Sequence, residues 1–173
     1  SALTFGPNGI LFVGDSKSAT IFAIDTKDAS PAESQPVDMK GFDKQVAFAL
    51  GTTVDNVNIL DLAVNPVSKK VYCAVQSGDG SSAILRVNGD KLEFVSLKDV
   101  PFSSVKLNDA PAEDAKDQRG RPLRVAAISD LMYDDGKVMV SGLSNQEFSS
   151  SFRSMPFPFT SKQETASLEI YHA

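Results

Sequence analysis

Between Ile59 and Leu97 the chain alternates short β-rich runs with turn residues. The runs are ILDLAV, VYCAVQ, AILRV and LEFVSL, and the breaks fall at Asn65-Pro66, Gly78-Asp79-Gly80 and Asn88-Gly89-Asp90. Each run has the length of one strand, and each break carries turn chemistry. The pattern predicts one antiparallel four-stranded sheet.

The same pattern recurs on either side. ALTF, ILFVGDS and ATIFAIDT precede it, with Ala2 falling on Asp61, Phe5 on Val64 and Ser16 on Ser77. A third copy starts at Ile128 as ISDLMY-DDG-KVMVSGLS, with Asp130-Leu131 on Asp61-Leu62 and Ser144 on Ser77. Three copies of a strand-turn-strand unit are a repeat signal, and units of this kind bury their faces against their neighbours. Imperfect alternation in ILFV and AILRV fits strands covered on both sides. The expected fold is therefore all-β: about three four-stranded antiparallel blades of a β-propeller, part of a six- or seven-bladed ring. Because three blades do not close a ring, the remaining blades are expected beyond Ala173 or from a companion chain.

The blades are expected at about 1–37, 59–97 and 125–173, in a single propeller portion. The insertion 38–58 predicts a short helix with Asp43 as N-cap, Phe42 as a staple before it and Gly51 beyond its end. The insertion 98–124, rich in Pro, Asp and Ala, predicts an extended surface loop. From Asn145 to Ser167 the chain reads as irregular, with Pro156 and Pro158 arguing against a central strand. Both insertions connect an outermost strand to the next innermost strand, so they rise from one face. A ligand or partner is expected there.

LTFGPNGILFVGDSKSATIFAIDT and DLAVNPVSKKVYCAV resemble the repeats of NHL-repeat, YVTN-repeat and SMP-30/gluconolactonase-like propellers: an apolar strand, an N/G-P-x-G turn, then a strand ending in a small or polar residue. The resemblance covers most of the chain and implies architecture. That superfamily includes hydrolases, lyases, dehydrogenase subunits and interaction platforms, so it implies no single activity.

Charge narrows the partners. The net charge is −5 and the pI about 4.8, which argues against nucleic acid and anionic membranes. No apolar run approaches the ~18 residues of a membrane span. The first residues, Ser1-Ala2, stand directly before strand-like sequence, as after signal-peptide removal, and predict an exported protein, periplasmic or extracellular. Cys73 alternates with Val71 and Val75 and reads as a buried apolar residue.

Candidate chemistry is sparse. Asp61 and Asp130 hold the same repeat position at the start of an innermost strand. Two carboxylates converging on an axis would favour a bound Ca²⁺, while an Asp there can equally cap nearby backbone N–H groups. His172, the only histidine, is a candidate ligand or proton-transfer group. Arg119, Arg121 and Arg124, beside Glu113, Asp114 and Asp117, form a candidate anion loop or a self-screened one. Phe148, Phe152, Phe157 and Phe159 either wall a pocket or pin a loop. The function these residues predict is an exported propeller binding or interaction module, its small molecule or protein partner held on the loop-rich face. The alternative is a metal-dependent hydrolase or lactonase with an axial acidic site.

Overall fold

The computed structural model describes residues 1–38, 40–146 and 150–168. The described residues form three four-stranded antiparallel sheets and one α-helix. In the second sheet β4 (Val57–Val64), β5 (Val71–Ser77), β6 (Ser82–Asn88) and β7 (Lys91–Phe94) follow one another as a meander, as the run pattern predicts.

The first sheet is discontinuous. It takes β1 (Ala2–Phe5), β2 (Ile10–Asp15) and β3 (Thr20–Asp25) from the start of the chain and β8 (Phe102–Lys106) from beyond the second sheet. The loop expected over 98–124 therefore contains a strand. Its ladder continues at both ends, with Asp25 N–H on the Pro101 carbonyl at 3.0 Å and Leu107 N–H on that of Ala19 at 2.8 Å. Only Val105 in β8 is buried, so no alternation marks it in the sequence.

The third sheet runs β9 (Asp130–Asp134), β10 (Lys137–Leu143), β11 (Ser150–Pro156) and β12 (Glu164–Leu168). The segment expected to be irregular thus supplies an interior strand, β11. Pro156 is its last residue, where a missing N–H costs least. The inward positions of β11 are Ser151, Arg153 and Met155, a pattern that does not look apolar.

The first sheet lies between the other two. Phe12, Ile21 and Ala23 pack with Leu131, Val138, Val140 and Met155 of the third sheet, while Leu3, Leu11 and Ile24 pack with Tyr72, Ala74 and Ile84 of the second. Helix α1 (Phe42–Leu50) lays Phe42 and Val46 over Cys73, Val75, Leu85 and Val87, on the second sheet's far side. Its N-cap is Gly41 and not Asp43, which lies in the first turn, where a negative charge suits the helix dipole. Gly51 ends the helix at φ 68, as expected of a C-terminal glycine.

A polar cluster closes the junction of the first two sheets. Asp28, 7% exposed, accepts hydrogen bonds from Ser68 Oγ and Tyr72 OH, both at 2.7 Å, and lies 3.5 Å from Lys70 Nζ. Asn65 Nδ2 donates to the Asp28 carbonyl at 2.7 Å. Burial opposes ionisation of Asp28, but these bonds and the Lys70 and Arg86 charges outweigh it and hold the carboxyl below its ordinary 3.8.

Candidate binding cleft

Residues 107–129 arch over the end of the sheets at which β9 begins, and two arginines hold them there, Arg153 buried and Arg124 partly buried. Arg153, fully buried on β11, pairs through Nε with Asp109 Oδ1 at 2.5 Å and donates from Nη2 to the Leu143 carbonyl at 2.9 Å. Asn145 N–H in turn donates to the Asp109 carbonyl at 2.6 Å, tying the β10–β11 connection to the same point. Arg124 donates from Nε to the carbonyls of Ser16 and Lys17 at 3.1 and 3.2 Å, and from Nη1 to that of Pro111. Charge-assisted bonds of this kind are about twice as strong as neutral ones, so the arch has a fixed base.

Between this arch and residues 143–146 lies a cleft of about 870 Å³, bordered by Pro111, Lys116, Gln118, Arg119, Leu143 and Gln146 among others. Asp117 organises its wall. Its Oδ1 accepts the N–H groups of Arg119 and Arg121 at 2.8 and 2.9 Å, and its Oδ2 accepts Arg121 Nε at 2.7 Å. The backbone and side-chain bonds from Arg121 keep the Asp117 carboxyl below its usual range. Arg121 is thereby neutralised. The guanidinium of Arg119 and the ammonium of Lys116 have no hydrogen-bond or ion-pair partner among the described residues.

The candidate residues do not gather in one place. Arg119 and Arg121 wall the cleft; Arg124 braces it from below. Asp61 lies on β4 facing the first sheet, where Oδ2 accepts the Leu3 N–H and Oδ1 the Leu62 N–H, both at 2.8 Å. Asp130 opens β9 and accepts the Leu131 N–H at 2.8 Å. Both aspartates thus make the backbone bonds of a cap, and β1 packs against both β4 and β9. Among the described residues, no group of three or more His, Cys, Asp or Glu is placed to hold a metal ion.

Phe152 is on the outer face of the third sheet, in one cross-strand row with Ser141 and Asp130. Phe157 and Phe159 instead pack on Phe12, with ring centroids 4.9 and 6.0 Å away, and pin their loop to the core. Phe148 and His172 lie outside the described residues. Cys73 is buried, and burial pushes its thiol up to about 11, which leaves it protonated and unreactive at neutral pH.

Sequence reasoning singled out Arg119 and Arg121 from their clustering but missed Lys116 and Gln118 on the same loop, and Gln146, which joins them only once the arch folds over the third sheet. It also missed the Asp28 cluster, although Arg86, a charge inside the apolar run AILRV, was a signal. The chain matches no protein-family model, and no curated protein or solved structure matches it.

Proposed function

We propose that the three sheets are blades of a β-propeller-type module whose role is binding, with an anionic ligand held in the cleft under the 107–129 arch. The observation that carries this reading is an open cleft of ligand size, about 870 Å³, whose rim offers the two unpaired cations Lys116 and Arg119 over a base fixed by Arg153 and Arg124. Small-molecule sites span roughly 300–1,000 Å³ and combine apolar walls with a few placed polar groups, which fits Pro111, Leu123 and Leu143 beside Gln118 and Arg119. A carboxylate or phosphate is the matching chemistry, because a free guanidinium binds such groups through two parallel bonds.

Titration of citrate and of inorganic phosphate into ¹⁵N-labelled protein tests this. The expected result is a saturable shift of amides in Ala112–Leu123 and Ser144–Gln146, weakened about ten-fold or more by Arg119→Ala with Lys116→Ala. Shifts that leave these amides untouched would sink it. The alternative, a Ca²⁺-dependent hydrolase built on Asp61 and Asp130, draws less support, since both oxygens of Asp61 already accept backbone N–H groups.

A further inference from the structure

The three inner strands carry the same register. Ala2, Asp61 and Asp130 pair with Gly14, Ala74 and Ser141, and the leucines that follow, Leu3, Leu62 and Leu131, pair with Val13, Cys73 and Val140. Each leucine faces backward along the stack and each preceding residue faces forward: Leu3 packs on the second sheet, Leu131 on the first, and Asp61 reaches Leu3 N–H of the first. The order of stacking is therefore second sheet, first sheet, third sheet.

At the two ends the same positions are bare. Leu3 is 4% and Leu131 5% exposed, but Leu62 is 45% exposed, with Val64 beside it. Helix α1 covers the middle and outer strands of that face, reaches β4 only about Val57, leaves Leu62 and Val64 exposed, and carries the exposed Phe48. At the other end Asp130 faces outward with no partner for Oδ2 among the described residues. Met132, 52% exposed, opposes Met139 one row further on, and Phe152 completes the patch.

We infer that these two ends bind each other between two copies of this chain. The forward face of one copy's third sheet seats on the backward face of β4 in the other, and the second contact is the reciprocal of the first. The argument is continuity with the junctions inside the chain: at each of them a forward face like that of Asp130 meets a backward leucine like Leu62. A head-to-tail contact that recurs twice closes a two-fold ring, and two sets of three sheets make six, within the range at which radial β-stacks close. This rests on the blade reading above and is independent of the cleft.

Light scattering coupled to size exclusion tests it on the 173-residue protein. At about 0.1 mM the expected mass is twice 18.5 kDa, with Met132→Glu and Leu62→Glu each raising the dissociation constant about a hundred-fold or more. Both sites are solvent-exposed, and an unchanged circular dichroism spectrum and melting curve show that the variants fold. Mixing the two variants restores one intact contact and gives a heterodimer. A monomeric parent chain overturns the inference. A Leu62→Glu chain that still pairs with itself overturns the head-to-tail arrangement. Exchange of the Leu3 amide, faster in Asp61→Ala, separates these failures from failure of the blade reading: if that amide does not respond, the internal junction on which the reading stands is itself wrong.

Discussion

Arg153 shows at the residue scale how a charge can be both buried and necessary. Its guanidinium is removed from water but meets Asp109 and the Leu143 and Ala127 carbonyls, so its desolvation is offset by bonds to groups that would otherwise lack partners. Arg153→Ala is expected to cost about 3–5 kcal/mol in urea unfolding, because Asp109 and two carbonyls lose their donor at once. Gly142 is constrained by space: a Cβ there would run into the Ala127 carbonyl. Gly142→Ala should therefore destabilise by about 1–3 kcal/mol in the same experiment. Asp28 sets an acid limit. Its folded carboxyl titrates below the ordinary 3.8, so its contribution is full above that value and is lost as pH falls through the lower, folded one. Asp28→Asn should flatten the acid side of a stability–pH curve and lower stability at neutral pH, since the amide lacks the charge that strengthens the bonds from Ser68 and Tyr72 and attracts Lys70 and Arg86. An unchanged acid limb would contradict this.

At the scale of elements, what could be read from the chain depended on whether burial left a period in it. β4 to β7 were legible because their apolar residues fall in short runs separated by Asn65-Pro66, Gly78-Asp79-Gly80 and Asn88-Gly89-Asp90. β8 was not, because one buried residue in five leaves no alternation. β11 was hidden by composition: Ser151 and Arg153 are buried polar residues whose partners, the Gly142 carbonyl and Asp109, come from other segments. Helix α1 was legible in place and in its Gly51 terminus, but its start was misplaced by two residues, since Gly41 caps without a side chain. The cleft was half legible, as a cluster of arginines, while its other wall belongs to residues brought over by the fold. Because β8 closes the first sheet after the whole second sheet has been laid down, Val105→Asp is expected to expose β3 as well as β8. Hydrogen exchange should show faster amides over Thr20–Asp25, with β5 and β6 less affected; loss confined to β8 would show that the strand is dispensable.

Across the whole molecule, one position read three times, Leu3, Leu62 and Leu131, orders the sheets and exposes the two ends of the stack. The cleft at one rim and the bare faces at the ends are separate surfaces, so ligand binding and self-association can vary independently. Their separateness gives a further expectation: Arg119→Ala should leave the mass of the particle unchanged. The most direct test of the account is amide exchange in Leu62–Val64 and Asp130–Asp134, measured in dilute and concentrated protein. The account predicts that both segments slow together as concentration rises, while Leu3, already covered within one chain, does not change. Exchange at both ends that is fast and indifferent to concentration would contradict it.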